Sequence, residues 1–227
     1  MRADEEAAPD DRTRYLALLT RRAKREPIAY ILGRRDFRHL TFAVDPRVLI
    51  PRPETELLVE VGLELPAGAR VADVGTGSGA VALALKDERP DLSLRGIDCS
   101  AQALAVAREN GRRLGLEVAW VHADLLDGAP CDAVLANLPY VADGARLAPE
   151  ITRYEPPGAL FAGPDGLDQI SRLVALVAAR RDVSLLALEV GFDQAGEVAG
   201  LLAGAGYREV SRRLDLAGHE RVLVARR

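Results

Sequence analysis

From residue 69 onward, apolar positions alternate between strand and helix spacing. Residues 70–74 form a short apolar run, and a glycine cluster at 75–79 closes it. A helical pattern then covers 80–86. The same alternation predicts a second strand at 92–97, an amphipathic helix at 101–114, a third strand at 118–122 and a fourth at 133–136. A helix at 167–180, a fifth strand at 185–190 and a helix at 194–205 follow. Residues 207–216 and 221–225, joined by Ala217-Gly218-His219, read as a closing antiparallel hairpin. Repeated strand–helix units put helices on both faces of a parallel sheet. The predicted class is α/β: a doubly wound, mostly parallel seven-stranded sheet.

The region before residue 69 has a different texture. Tyr15, Leu18 and Leu19 share one face of a helix over 14–24, and Pro27 ends that helix or begins the next turn. Phe37, Leu40, Phe42 and Val44 suggest a strand, although Leu40 breaks strict alternation. Asp45-Pro46 is a turn signal, and Val48-Leu49-Ile50 resumes a strand, so a β-hairpin is expected here. Pro51 and Pro53 keep the chain extended. Glu54 or Thr55 then opens a helix through Leu57, Leu58 and Val61. The expected organisation is a short helical segment at 1–35, a hairpin and linker at 36–56, and the main α/β unit at 57–227.

Composition adds limits. A chain of 227 residues needs no disulfide or metal staple. The opening MRADEEAAPDD is acidic and polar, which predicts disorder over 1–11 and is no signal peptide. No apolar run is long enough to span a membrane. Net charge is −4, unlike the strongly basic balance of a nucleic-acid binder. Lysine occurs only at Lys24 and Lys86, so 28 of 30 basic residues are arginine. Nine basic residues fall between Arg12 and Arg38 against Glu26 and Asp36, either a solvated helix face or a docking surface for an acidic partner. Cys99 and Cys131 form neither a metal-ligand pattern nor a disulfide framework, which suits a reducing, cytoplasmic setting. His39, His122 and His219 show no ligand spacing, and no metal is expected.

The chemistry concentrates at strand ends. Asp73-Val74-Gly75-Thr76-Gly77-Ser78-Gly79 follows a strand and opens a helix. Glycine serves where a chain turns sharply or a ligand must touch backbone, and a helix amino end offers free N–H groups. Asp98 ends the second strand, where a carboxylate can accept from both ribose hydroxyls. Asp124 ends the third and can accept from an adenine amino group. The spacing is Gly-x-Gly-x-Gly, not the dinucleotide Gly-x-Gly-x-x-Gly. Asp73 inside the turn suits a cationic ligand better than a diphosphate. A plain packing turn and a nicotinamide site are the alternatives.

After the fourth strand comes Asn137-Leu138-Pro139-Tyr140. Ligands of doubly wound sheets sit at strand carboxyl ends. An amide or aryl amine is a poor nucleophile because its lone pair is delocalised. Two acceptors on its N–H groups can aim that lone pair. The Asn137 side-chain oxygen and the Leu138 carbonyl can supply them, while the Tyr140 ring packs on the planar group. The work is orientation and charge placement, not strong base.

The glycine turn, Asp98 and Asp124 together resemble the class I methyltransferases that use S-adenosylmethionine. Asn137–Tyr140 resembles the Asn/Asp-Pro-Pro-Tyr segment of those that modify planar nitrogens, with Leu138 replacing the first proline. The same string also resembles ribosomal RNA adenine dimethyltransferases. Glu26–Gly33, Arg52-Pro53-Glu54-Thr55-Glu56, Glu155–Leu160, Gly163–Leu167 and Glu189-Val190-Gly191 look like the protein-(glutamine-N5) methyltransferases that modify peptide chain release factors. That resemblance runs from about Arg22 to the carboxyl end. It implies methylation of a Gly-Gly-Gln glutamine, with Asn137, Leu138, Pro139 and Tyr140 holding the amide. It implies that Asp73, Gly75, Thr76, Gly77, Ser78, Gly79, Asp98, Asp124, Leu125 and Asn137 hold the donor. Arg52, Pro53 and Glu54 then line the substrate entrance, and Glu189 stands behind the site. The family carries a longer helical amino-terminal region than the roughly 35 residues present here. The expected enzyme is a cytoplasmic monomer with a release factor as partner and no direct nucleic-acid substrate. The alternatives are a ribosomal-protein glutamine, an adenine amine, or a binding module without turnover.

Overall fold

A computed structural model describes residues 9–227. The disorder expected over 1–11 lies outside the described residues up to position 8, and from Pro9 the chain is helical. Helix α1, Pro9–Ala23, begins with Asp10 and Asp11 and ends with Arg21 and Arg22. That charge order complements the helix dipole. Pro27 begins the next helix: it caps α2, Ile28–Leu32, which stops at left-handed Gly33.

The hairpin lies elsewhere than the turn signal implied. Strands β1, Arg34–Phe37, and β2, Leu40–Ala43, pair antiparallel, with Phe37 opposite Leu40. The chain reverses at Arg38-His39, with Arg38 at φ 52. Leu40 breaks the alternation because it starts the return strand. A left-handed arginine costs about 1–3 kcal/mol. Here its N–H donates to a Glu56 carboxylate oxygen at 3.1 Å and its guanidinium pairs with Glu88 at 2.6 Å. Asp45-Pro46 does turn the chain: the Val48 N–H donates to the Asp45 carbonyl at 3.1 Å. Residues 48–50, however, pair with no strand. They are tied by the Tyr30 hydroxyl, which donates to the Val48 carbonyl at 2.6 Å, and by the Ile50 N–H, which donates to Glu155 at 3.1 Å. A 3-10 turn at Pro53–Thr55 then leads into α3, Glu56–Leu63.

The α/β unit follows the sequence reading closely. Its elements are β3 (Arg70–Val74), α4 (Ala80–Glu88), β4 (Ser93–Asp98), α5 (Ala101–Leu114), β5 (Ala119–His122) and β6 (Ala133–Ala136). Then come α6 (Pro149–Tyr154), α7 (Asp168–Ala178), β7 (Leu185–Glu189), α8 (Ala195–Gly204), β8 (Glu209–Leu214) and β9 (Glu220–Arg226). The sheet order is β5-β4-β3-β6-β7-β9-β8. Strands β3 to β7 run parallel, and β9 lies antiparallel between β7 and β8. The order reverses at β3, beside β6, so their carboxyl ends open one crevice.

Alternation along the strands makes two cores. Val71, Leu135, Ala187 and Val224 face α3, α4, α5 and the hairpin, while Ala72, Val134, Leu188 and Leu223 face α7 and α8. Helix α5 is capped at both ends: the Ser100 hydroxyl accepts from the Ala103 N–H, and Gly115 is left-handed. Its fully buried Asn110 accepts from the Ala43 N–H at 2.8 Å and donates to the Ala43 and Ser78 carbonyls at 3.1 and 3.0 Å. One side chain thus fixes the hairpin against the glycine turn.

The front of the chain is tied to α6. Arg22 and Arg25 pair with Glu150 at 3.1 and 2.8 Å, and the Tyr154 hydroxyl donates to the Lys24 carbonyl at 2.9 Å. Arg21 pairs with Glu26 and Arg38 with Glu88. Four of the nine clustered basic side chains are therefore ion-paired, with three carboxylates between them. Among the described residues, no helix is long and apolar enough to cross a membrane.

Candidate active site

A cavity of about 290 Å³ opens at the carboxyl ends of β3, β4 and β6. One wall is the turn between β3 and α4. Gly75 (φ 74) and Gly77 (φ 54) take backbone conformations that other residues adopt only with strain. The Gly75 and Thr76 N–H groups donate to the Ile97 carbonyl at 2.9 and 3.0 Å, which pins the turn to β4. Asp73, Gly75, Thr76, Gly77 and Ser78 all line the cavity. Gly79 does not. A Cβ there would sit 2.8 Å from the Trp120 ring, so this glycine serves packing.

Asp73 is 2% exposed. Its Oδ2 accepts from the Thr76 hydroxyl at 2.6 Å and the Ala82 N–H at 3.2 Å. Burial outweighs these bonds and pushes its pKa up to about 7. Ionising Asp73 therefore costs folding free energy. The stabilisation is whole below its unfolded value of about 4 and is lost as pH rises to about 7. We expect Asp73→Asn to gain Tm relative to the parent protein as pH rises from 5 to 8. A constant difference across that range in scanning calorimetry would refute the assignment.

Asp98 accepts from the Gly77 N–H at 2.9 Å and the Ser100 N–H at 2.8 Å, one on each oxygen. Burial raises its pKa. Each oxygen keeps a lone pair for a ligand hydroxyl. Cys99 lies beside it on the cavity wall. Asp124 stands at the rim, its carboxylate 63% exposed and paired with Arg172 at 2.6 Å. Leu125, left-handed at φ 68, is buried and also lines the cavity.

The opposite wall is Asn137-Leu138-Pro139. The Asn137 Nδ2 donates to the Thr55 hydroxyl oxygen at 3.0 Å. With its donor end tied back, the Asn137 carbonyl oxygen is the free end of the amide. A Cβ on Gly75 would sit 3.1 Å from Leu138 Cδ2 and 3.2 Å from the Asn137 carbonyl, so the turn and this segment touch. Leu138, which stands where the resembled motif has its first proline, packs its side chain against the turn.

Tyr140 does not line this cavity. Its hydroxyl reaches behind Asn137 to Glu189 Oε1 at 3.3 Å, and burial raises its pKa. The Gln194 side chain fixes the Tyr140 carbonyl at 2.9 Å. Glu189 is 1% exposed, and burial pushes its pKa up to about 7. The string 52–56 divides. Arg52 and Thr55 reach the cavity, while exposed Pro53 and half-buried Glu54 do not. The Arg52 guanidinium pairs with buried Glu155 at 2.5 Å.

Sequence reasoning missed Thr55, Glu155 and Arg172 as contributors. Thr55 stood inside the quoted string, but its role depends on Asn137, 82 residues away. The arrangement can bind a cation with a nucleoside and present an acceptor oxygen to a planar N–H group.

A family model described as the methyltransferase small domain matches residues 53–153, and one described as the PrmC N-terminal domain matches residues 1–33. A release factor glutamine methyltransferase from Burkholderia pseudomallei is 44% identical, over 97% of this chain and 82% of its own. Its namesake from Neisseria gonorrhoeae is 42% identical over 99% and 85%. A solved E. cuniculi Mtq2–Trm112 complex, described as methylating the eRF1 translation termination factor, superposes with a TM-score of 0.58 at 23% identity. It covers 80% of this chain and 99% of that one.

Proposed function

Because the chain belongs to the release factor glutamine methyltransferases, we propose that it methylates the side-chain amide of a glutamine in a peptide chain release factor. It is an S-adenosylmethionine-dependent methyltransferase. The cavity suits that donor. Two carboxylates whose pKa burial raises, Asp73 and Asp98, gain from a cation, and at Gly75 a Cβ would crowd the Leu138 side chain and the Asn137 backbone carbonyl. S-adenosylmethionine supplies an electrophilic methyl carbon on a positively charged sulfur.

The observation that carries the reading is the direction of the Asn137 amide. In our reading its oxygen and the Leu138 carbonyl accept the two N–H bonds of the substrate amide. That turns the nitrogen lone pair toward the methyl group. Tyr140, held by Glu189 and Gln194, stands outside the cavity, so it steadies the Asn137–Pro139 wall rather than contacting the amide. Asp98 takes the ribose hydroxyls, and Leu125 flanks the adenine. The Asp124 side chain turns from Arg172 to the adenine amine. That ion pair is exposed and worth no more than about 1 kcal/mol, so exchanging it is cheap. Arg52, braced by Glu155, borders the entrance. The work is alignment of two reactants, which alone can lower a barrier by about 7–11 kcal/mol. We place the enzyme in the cytoplasm, where release factors act, and take the monomer as the active unit.

The test uses methyl-labelled donor and a release factor, either unaltered or with its Gly-Gly-Gln glutamine changed to alanine. Label on the unaltered factor alone is the expected result. Label on both would move the target to another residue. Label on neither, with donor binding confirmed, would reject the release factor.

A further inference from the structure

The donor-to-acceptor order of the Asn137 side chain is not set by Asn137. Its Nδ2 rests on the Thr55 hydroxyl oxygen, and Thr55 is only 5% exposed. A hydroxyl carries one proton. While accepting from Asn137, Thr55 must send that proton to another acceptor, since buried donors are almost always paired. Glu189 ends β7, the strand against which α3, the helix that Thr55 leads into, is packed. Oε1 of Glu189 takes the Tyr140 hydroxyl, and its Oε2 is buried without a partner. The Thr55 hydroxyl is among the groups that act on Glu189, and it favours the charged form.

We propose that Glu189 sets the polarity of the Asn137 amide through Thr55, so that the substrate wall presents an acceptor to the incoming N–H group. The reason is directional. A carboxylate can only accept. The Thr55 proton then points to Glu189, its lone pair points to Asn137, Nδ2 must lie there, and the Asn137 oxygen faces the cavity. Without an obligate acceptor at Glu189, the hydroxyl can turn and donate to Asn137. The amide then flips and meets a substrate N–H with its own N–H. Glu189 is a positioning residue: it acts on the reaction only through Thr55 and Tyr140.

Four neighbours bear on the charge of Glu189. Thr55 and Tyr140 lower its pKa by hydrogen bonding and Arg221 on β9 lowers it by charge, while Glu54 raises it. Arg221 is itself shared with Asp215 at 3.1 Å and with the Val190 carbonyl at 2.9 Å. Burial outweighs these three favourable neighbours, so the relay switches on as pH rises through about 7.

The kinetic consequence rests on the glutamine reading; the polarity itself does not. The side-chain amide resonances of Asn137 in the donor-free, isotope-labelled protein report the relay without any methyl acceptor. They are assigned by their loss in Asn137→Ala. We expect them to move with pH through about 7 in the parent protein and to hold still in Glu189→Gln. With release factor as substrate, Glu189→Gln should lower kcat about 100-fold, the scale of a misplaced reacting group, with donor affinity little changed. Thr55→Ser should recover most of what Thr55→Val loses. If Glu189→Gln does not fold, Thr55→Val carries the same spectroscopic comparison. Asn137 resonances that keep their parental pH response in either variant overturn the relay, whatever happens to activity. An inactive parent protein with the expected resonances would instead count against the glutamine substrate alone.

Discussion

Asn137→Ala is expected to lower kcat by about 10²–10³-fold while donor affinity stays nearly unchanged. The magnitude is that of removing one preorganised polar group from a reacting centre. The wider cavity wall predicts the split. In the proposed placement the donor's charged and ribose portions face Asp73, Gly75 and Asp98, none of which bonds to the Asn137 side chain. Removing the amide deletes one acceptor for the substrate N–H and leaves the Thr55 hydroxyl without its neighbour. Isothermal calorimetry with the donor, beside single-turnover methyl transfer, separates the two effects. If donor affinity falls in step with turnover, Asn137 belongs to the donor rather than to the amide.

Asp98→Ala is expected to do the reverse, weakening donor binding by about 1.5–3 kcal/mol, the scale of a hydrogen bond to a charged group. That is roughly a 10- to 150-fold rise in Kd. Two effects act together. The ribose loses its acceptor, and the Gly77 and Ser100 N–H groups lose the carboxylate that shapes the turn. Asp98→Asn separates them, because an amide keeps one acceptor oxygen and the side-chain volume. Its loss should lie between parent and alanine. An unchanged Kd in Asp98→Ala would remove the ribose from this position.

Much of the α/β unit was legible because its central strands β3, β6 and β7 are buried on both faces and helices such as α5 and α7 carry an apolar stripe. Residues 101–114 and 133–136 were read with the boundaries they have. Helix α6 was not seen, and it buries no residue, so there was no stripe to read. The hairpin was misplaced because the turn is made by Arg38, which has no sequence mark of a turn residue. Its left-handed backbone is held by Glu56 and Glu88 from helices further along the chain. The same limit applies at the site. Glycine turns and strand-end carboxylates announce themselves locally. Glu155 bracing Arg52, Arg172 covering Asp124 and Thr55 orienting Asn137 are pairings across 103, 48 and 82 residues, which no local pattern encodes.

The ties between the front helix and α6 also have a meaning in time. Arg22 and Arg25 meet Glu150 across 128 and 125 residues, and Tyr154 meets Lys24 across 130. Contacts that close such long loops are favourable only after the intervening sheet has assembled. They therefore belong to the late side of the folding barrier, where stabilisation slows unfolding and barely alters the folding rate. The residue after Tyr154 is Glu155, which holds the Ile50 backbone and the Arg52 side chain, and Arg52 lines the cavity. The front helix thus acts on how long a finished active site persists, rather than on how quickly one forms.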